Sequence, residues 1–121
     1  MTAILYARLG GYDAIAAVVD NLLARLTTDP QLRRFWQNRG EDGLRREKQL
    51  LIDFLCAATG GSLLYTGRDM NTSHKGMGIS ESDWRIFIGH LEATLNSFKV
   101  PSSEQAAVLA FVGGTKGDIV E

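Results

Sequence analysis

A single cysteine, Cys56, leaves no internal disulfide to form and excludes zinc or iron–sulfur sites built from several thiolates. Only two histidines, His74 and His90, are present, and neither sits in an HExxH-type spacing. Charge of one sign is also missing: 13 Lys and Arg against 14 Asp and Glu give a net charge of −1, so no basic excess points to nucleic acid. No stretch approaches the roughly 18 apolar residues of a membrane span, and Met1 to Arg8 contains no apolar run of signal length. These absences lead to the expectation of a soluble cytoplasmic monomer with neither nucleic acid nor membrane as partner. Strand alternation, internal repeats and low-complexity tracts are missing as well. Prolines number two but glycines 13, several of them paired, as at Gly10-Gly11 and Gly60-Gly61. Without the strand context of a phosphate loop, such pairs read as corners between helices.

What is present is helical periodicity in a chain of 121 residues, the size of one domain spanning 1–121. A short apolar segment from Thr2 to Leu9 stops at Gly10-Gly11. Asp13 is placed to cap the next helix, whose apolar face is Ile15, Val18, Val19, Leu22, Leu23 and Leu26, and Asp29-Pro30 ends it. Gln31 to Trp36 reads as a short helical turn ending on Phe35 and Trp36, and Asn38 to Gly43 as a polar loop. Leu44 to Thr59 is the next helix, with Leu44, Leu51, Phe54, Leu55 and Ala58 as a stripe that Leu50 and Ile52 widen. Ser80 with Asp83 forms a capping box for a helix to about Phe98, carrying Trp84, Phe87, Ile88, Leu91 and Leu95 on one side. Pro101-Ser102 with Gln105 opens the last helix in the same manner, and Gly113-Gly114 weakens its middle. The fold class is all-α, with six or seven helices, some very short.

The stretch Thr66 to Ile79 carries the chemistry. Met70 and His74 lie four apart and would share a face of a short helix that Gly76 and Gly78 stop. A lone histidine on a helix is usually a surface or satisfied core residue. Here Met70 precedes it and Met77 and Ile79 follow, so apolar groups bracket the imidazole, as a haem slot requires. His90 falls off the face of Trp84, Phe87, Leu91 and Leu95, and reads as a helix-packing residue. Cys56, within an apolar run, reads as a small hydrophobe. Glu41-Asp42 reads as helix-start charge, and Arg45-Arg46 with Lys48 as a solvated face.

Read end to end, the chain resembles the group I truncated haemoglobins. The resemblance is carried by Leu9-Gly10-Gly11, Phe35-Trp36, Phe54 to Gly61, Tyr65 to Met70, His74 with Gly78-Ile79, Gly89-His90-Leu91 and Val100-Pro101. It implies a truncated globin: a two-over-two helical sandwich around haem b (iron protoporphyrin IX), with His74 as the proximal ligand to iron. Trp36 falls at the aromatic that packs flat on the porphyrin, and Met70, Ile79, Trp84, Phe87 and Val112 match further pocket positions. Arg68 suits a propionate.

The departures are on the distal side. Leu23 occupies the position of a ligand-binding tyrosine, and Leu51 that of a frequent glutamine. Counting back from Phe54 puts Glu47 at the distal gate, whereas counting forward from Trp36 puts Leu44 there, and Lys48 and Gln49 lie close by. With Leu23 and Leu51 the usual donors are missing, which implies weaker stabilisation of O2 unless Lys48 or Gln49 reaches in. The resemblance leaves open reversible binding or transport of O2, oxidation of nitric oxide, and sensing of a diatomic gas ligand. Nitric oxide turnover needs electrons, and no flavin or nicotinamide motif is present, so a reductase would be a separate partner. The alternative of a different class is a haem-free helical interaction module.

Overall fold

Each regular element among the described residues of the computed structural model, 5–36, 40–60 and 77–120, is a helix. In chain order these are α1 (Leu5–Arg8), α2 (Gly11–Thr28), a 3-10 turn (Arg33–Phe35), α3 (Gly40–Ala58), α4 (Glu81–Ser97), α5 (Ser102–Gly113) and α6 (Lys116–Ile119). α2 packs against both α3 and α4, and α5 packs on α4, so two helices lie over two; α1 bridges α2 and α5.

The packing follows from the apolar stripes. α2 buries Ile15, Val19, Leu22, Leu23 and Leu26, the helical repeat read from sequence. Opposite it, α3 buries Ile52, Leu55 and Cys56, and α4 buries Trp84, Leu91 and Leu95. Leu22, Leu91, Leu95 and Val19 are the largest wholly enclosed aliphatic side chains, so the centre of the core is the α2–α4 contact. Each contributes about 1.5–3 kcal/mol of apolar transfer. Cys56 is fully buried and burial pushes its thiol up, which suits packing and not nucleophilic chemistry.

Helix ends set the layout, and several depart from the sequence expectation. α2 begins at Gly11, with Gly10 as its N-cap at φ 104°, and Asp13 lies inside the first turn where the helix dipole favours it, not at the cap. A Cβ on Gly10 would lie 2.9 Å from that of Ala14, so both conformation and space demand glycine there. α3 begins at Gly40, not Leu44: Glu41 and Asp42 fill its first turn, and Asp42 pairs with Arg45 at 2.8 Å. Polarity had marked this segment as loop, but acidic residues are what a helix start accepts. Past Ala58, Gly60 takes φ 99° and ends the helix.

The Ser80–Asp83 capping box opens α4 as expected, each side chain bonding the other's backbone N–H. Its exit turns on Lys99, the one non-glycine residue at positive φ (56°) among the described residues. Ser102 and Gln105 do not make a second box, because the N-cap is Pro101 and Ser102 already lies inside the helix. Proline has neither a backbone N–H nor a side-chain acceptor to offer, and the Gln105 amide instead donates to the Val100 carbonyl at 2.8 Å and to Asn96 at 2.9 Å. Gly113-Gly114 does more than weaken one helix. α5 ends at Gly113, and the Thr115 hydroxyl takes up the freed Val112 carbonyl at 2.6 Å before α6 begins.

Candidate functional site

A cavity of about 370 Å³ lies where α2, the 3-10 turn, α3, the start of α4 and the C-terminal helices converge. That is within the range of small-molecule and cofactor sites. α2 supplies Leu23 and Leu26, and the following corner adds Leu32, Phe35 and Trp36. α3 presents Gly43, Glu47, Leu50, Leu51, Phe54 and Leu55 at helical spacing, with Arg46 at the solvent edge. Met77, Ile79, Asp83, Trp84 and Phe87 line the wall formed by the entry to α4 and its first two turns; Val112, Thr115 and Ile119 complete it.

The aromatic walls are held in place. Phe35 and Trp36 meet edge to face with centroids 6.2 Å apart, and Trp84 and Phe87 lie tilted at 5.6 Å. The Arg34 guanidinium lies 4.3 Å above the Phe35 ring. The same side chain reaches Asp83 Oδ2 at 2.6 Å, while the Gln31 amide donates to Asp83 Oδ1 at 2.6 Å and the Ser80 backbone N–H to Oδ2 at 2.9 Å. Burial would raise the Asp83 carboxyl, but hydrogen bonds from Gln31, Ser80 and Arg34 outweigh it and hold the group well below the usual carboxylate range. This ionised acid, 1% exposed, latches the turn bearing Phe35 and Trp36 to the first turn of α4.

A second latch lies away from the cavity. His90 Nε2 meets Asp29 Oδ2 at 2.7 Å, tying the end of α2 to the middle of α4. The hydrogen bond to His90 draws the Asp29 carboxyl down against its burial. His90 is therefore a half-buried packing histidine, as its place off the apolar face implied. Among the described residues no three His, Cys, Asp or Glu side chains gather as a metal site.

Of the sequence candidates, Leu23, Trp36, Glu47, Leu51, Phe54, Met77, Ile79, Trp84, Phe87 and Val112 all border this cavity. Leu44 and Lys48 do not, although Leu44, three residues before Glu47 and seven before Leu51, lies on the same face of α3. Lys48 Nζ instead pairs with Asp20 of α2 at 2.9 Å. Gln49 points away too, its side-chain amide donating to the Tyr12 hydroxyl of α2 and to Asp53, each at 3.0 Å. Arg68, Met70 and His74 lie outside the described residues. Sequence reasoning missed Leu32, Phe35, Arg46 and Asp83 as wall residues. Arg46 was assigned to the solvated face, yet the helical register that selects Glu47 and Leu50 brings it to the rim. Asp83 was recognised only as a cap.

The wall suits a large flat apolar group. It is chiefly aliphatic and aromatic, with ring systems on both the corner and α4, and Arg46 stands at the rim where a carboxylate would emerge. One buried polar atom on it has no partner among the described residues, the indole Nε1 of Trp36.

The bacterial-like globin family model matches residues 4–121. The chain is 33% identical over 110 residues to the group 1 truncated hemoglobin GlbN of Mycolicibacterium paratuberculosis, covering 91% of this chain and 79% of that protein. It superimposes on the truncated hemoglobin of Tetrahymena pyriformis in its Fe(III) form with a TM-score of 0.88, 26% identity and 98% of each chain covered. Against Chlamydomonas reinhardtii THB1 the TM-score is 0.82 at 30% identity, covering 100% of this chain and 99% of that one.

Proposed function

This chain belongs to the bacterial-like globin family, among the truncated haemoglobins of group 1, and on that premise we propose that it holds haem b in the cavity through His74 and binds diatomic gases there. The observation that carries the reading is the cavity itself: ten candidate residues named from the sequence border one apolar space of about 370 Å³. His74 stands three residues before Met77, a wall residue.

When bound, haem would supply an iron atom able to take the His74 imidazole and a diatomic ligand. The rest is the work of this chain's residues. Trp36, Trp84 and Phe87 would wall the group in and exclude water. Arg46, and by resemblance Arg68, would suit its carboxylates. The Asp83 latch keeps Trp36 in register with α4. On the ligand side, Leu23 and Leu51 present only methyl groups, and Lys48 and Gln49 are turned toward α2. The site therefore favours neutral ligands that need little hydrogen bonding, with O2 held less firmly than where a side-chain donor is worth about 1.5–3 kcal/mol. Oxidation of nitric oxide in turnover would draw its electrons from a separate reductase.

The test is titration of the purified chain with haemin. One equivalent is taken up, the Soret band sharpens, and it shifts on reduction and addition of carbon monoxide. A folded chain indifferent to haemin would instead be a haem-free helical module.

A further inference from the structure

The cavity wall carries one buried hydrogen-bond donor that the protein itself does not use. The Trp36 indole Nε1 is enclosed and has no acceptor among the described residues. Leaving such a group unpaired costs about 1–3 kcal/mol, and a phenylalanine in the same place would avoid that cost. Of the other polar wall groups, Arg46 stands exposed at the rim, and Asp83 and Thr115 are engaged. Asp83 is saturated by Gln31, Arg34 and Ser80, and the Thr115 hydroxyl donates to the Val112 carbonyl. Glu47 brings carboxylate oxygens, which accept and do not donate. Leu23 and Leu51 bring nothing polar.

We propose that Trp36 Nε1–H donates a hydrogen bond to an acceptor atom of whatever fills the cavity, and is thus a polar recognition residue as well as an aromatic wall. This rests on the haem reading above. Two acceptors share the required chemistry: a porphyrin carboxylate and the outer atom of a diatomic ligand. The geometry that selects Trp36 is its place in the wall. It stands at the end of the 3-10 turn, held edge to face by Phe35, and that turn is fixed to α4 through Arg34 and Asp83. An indole so placed loses little freedom on accepting a partner.

The experiment compares the haem-loaded wild type with Trp36→Phe, and with Trp36 replaced by the isosteric benzothienyl amino acid, in which sulfur stands for N–H. The second variant keeps shape and bulk, so it reads the hydrogen bond even where phenylalanine disturbs folding. Removing one neutral hydrogen bond is expected to change the governing rate by roughly two- to tenfold. A higher carbon monoxide stretching frequency with faster O2 dissociation, at unchanged haem loss, identifies the diatomic ligand as acceptor. Faster haem loss at unchanged stretching frequency identifies the carboxylate, and the difference between wild type and variant then vanishes with haem dimethyl ester. If the benzothienyl variant matches the wild type in stretching frequency, O2 dissociation and haem loss, the proposal is overturned. A wild type that takes no haem would overturn the haem reading itself, which is a separate result.

Discussion

Converting Asp83 to asparagine removes a charge from the most heavily bonded buried acid among the described residues while keeping its shape. The consequence can be worked from its four contacts. Oδ1 accepts from Gln31, and Oδ2 from Arg34 and from the Ser80 backbone N–H. The fourth, the Ser80 hydroxyl accepting from the Asp83 backbone N–H, is untouched. An asparagine amide can set its oxygen toward Arg34 and Ser80 and its NH2 toward Gln31, whose own amide can turn to accept. What is lost is the carboxylate charge on three bonds, of which those from Gln31 and Ser80 become neutral. Hydrogen bonds to charged groups contribute about 1.5–3 kcal/mol and neutral ones about 0.5–1.5, a difference near 1 kcal/mol each. The Arg34 share is smaller because that side chain is 45% exposed and solvent screens it. The net expectation is a loss of about 1–2 kcal/mol, or roughly 3–8 °C in Tm. The sign with pH is fixed by the direction of the shift. Asp83 is held below its ordinary value, so its contribution is complete above that value and fades as pH falls toward the folded one. Denaturant unfolding followed by circular dichroism at pH 7 and at acid pH measures both. A loss below 0.5 kcal/mol at pH 7, or one that does not shrink in acid, would refute the latch.

Gly10→Ala forces a Cβ to 2.9 Å from that of Ala14 at φ 104°, so a loss of about 2 kcal/mol or more is expected in the same unfolding assay. Lys99→Gly relieves a left-handed residue at φ 56° and should gain about 0.5–1 kcal/mol, read as a rise in denaturation midpoint with unchanged slope. Lys48→Ala and Gln49→Ala should leave O2 dissociation unchanged, because both side chains bond α2 and not the cavity; stopped-flow ligand replacement tests this. Leu23→Tyr restores a donor to the wall and should slow O2 dissociation by about tenfold or more in that measurement.

Long stripes made most of the fold legible before any coordinates. The repeat from Ile15 to Leu26 and the aromatic face of Trp84 and Phe87 are period signals many residues long, and the Ser80–Asp83 box is a local signature with two reciprocal bonds. Boundaries built on single residues fared less well. Asp13 is a good cap by type but lies too far into a helix that a left-handed glycine opens, and Gly40 to Gly43 is polar yet wound. The distal register could not be read from spacing, because counting from Trp36 and from Phe54 gave different answers. In the structure Glu47 and Leu51 border the cavity and Leu44 does not. Asp83 shows why part of a wall stays hidden in sequence. Its partners Gln31 and Arg34 lie about fifty residues away in the chain, and nothing local announces them.

The most direct test of the account is the iron–imidazole stretching band of the reduced, haem-loaded protein by resonance Raman spectroscopy. The account predicts the band in the wild type, its loss in His74→Gly, and its return when free imidazole is added to that variant. The same band persisting unaltered in His74→Gly would mean that another group holds the iron, and the assignment of His74 would fall.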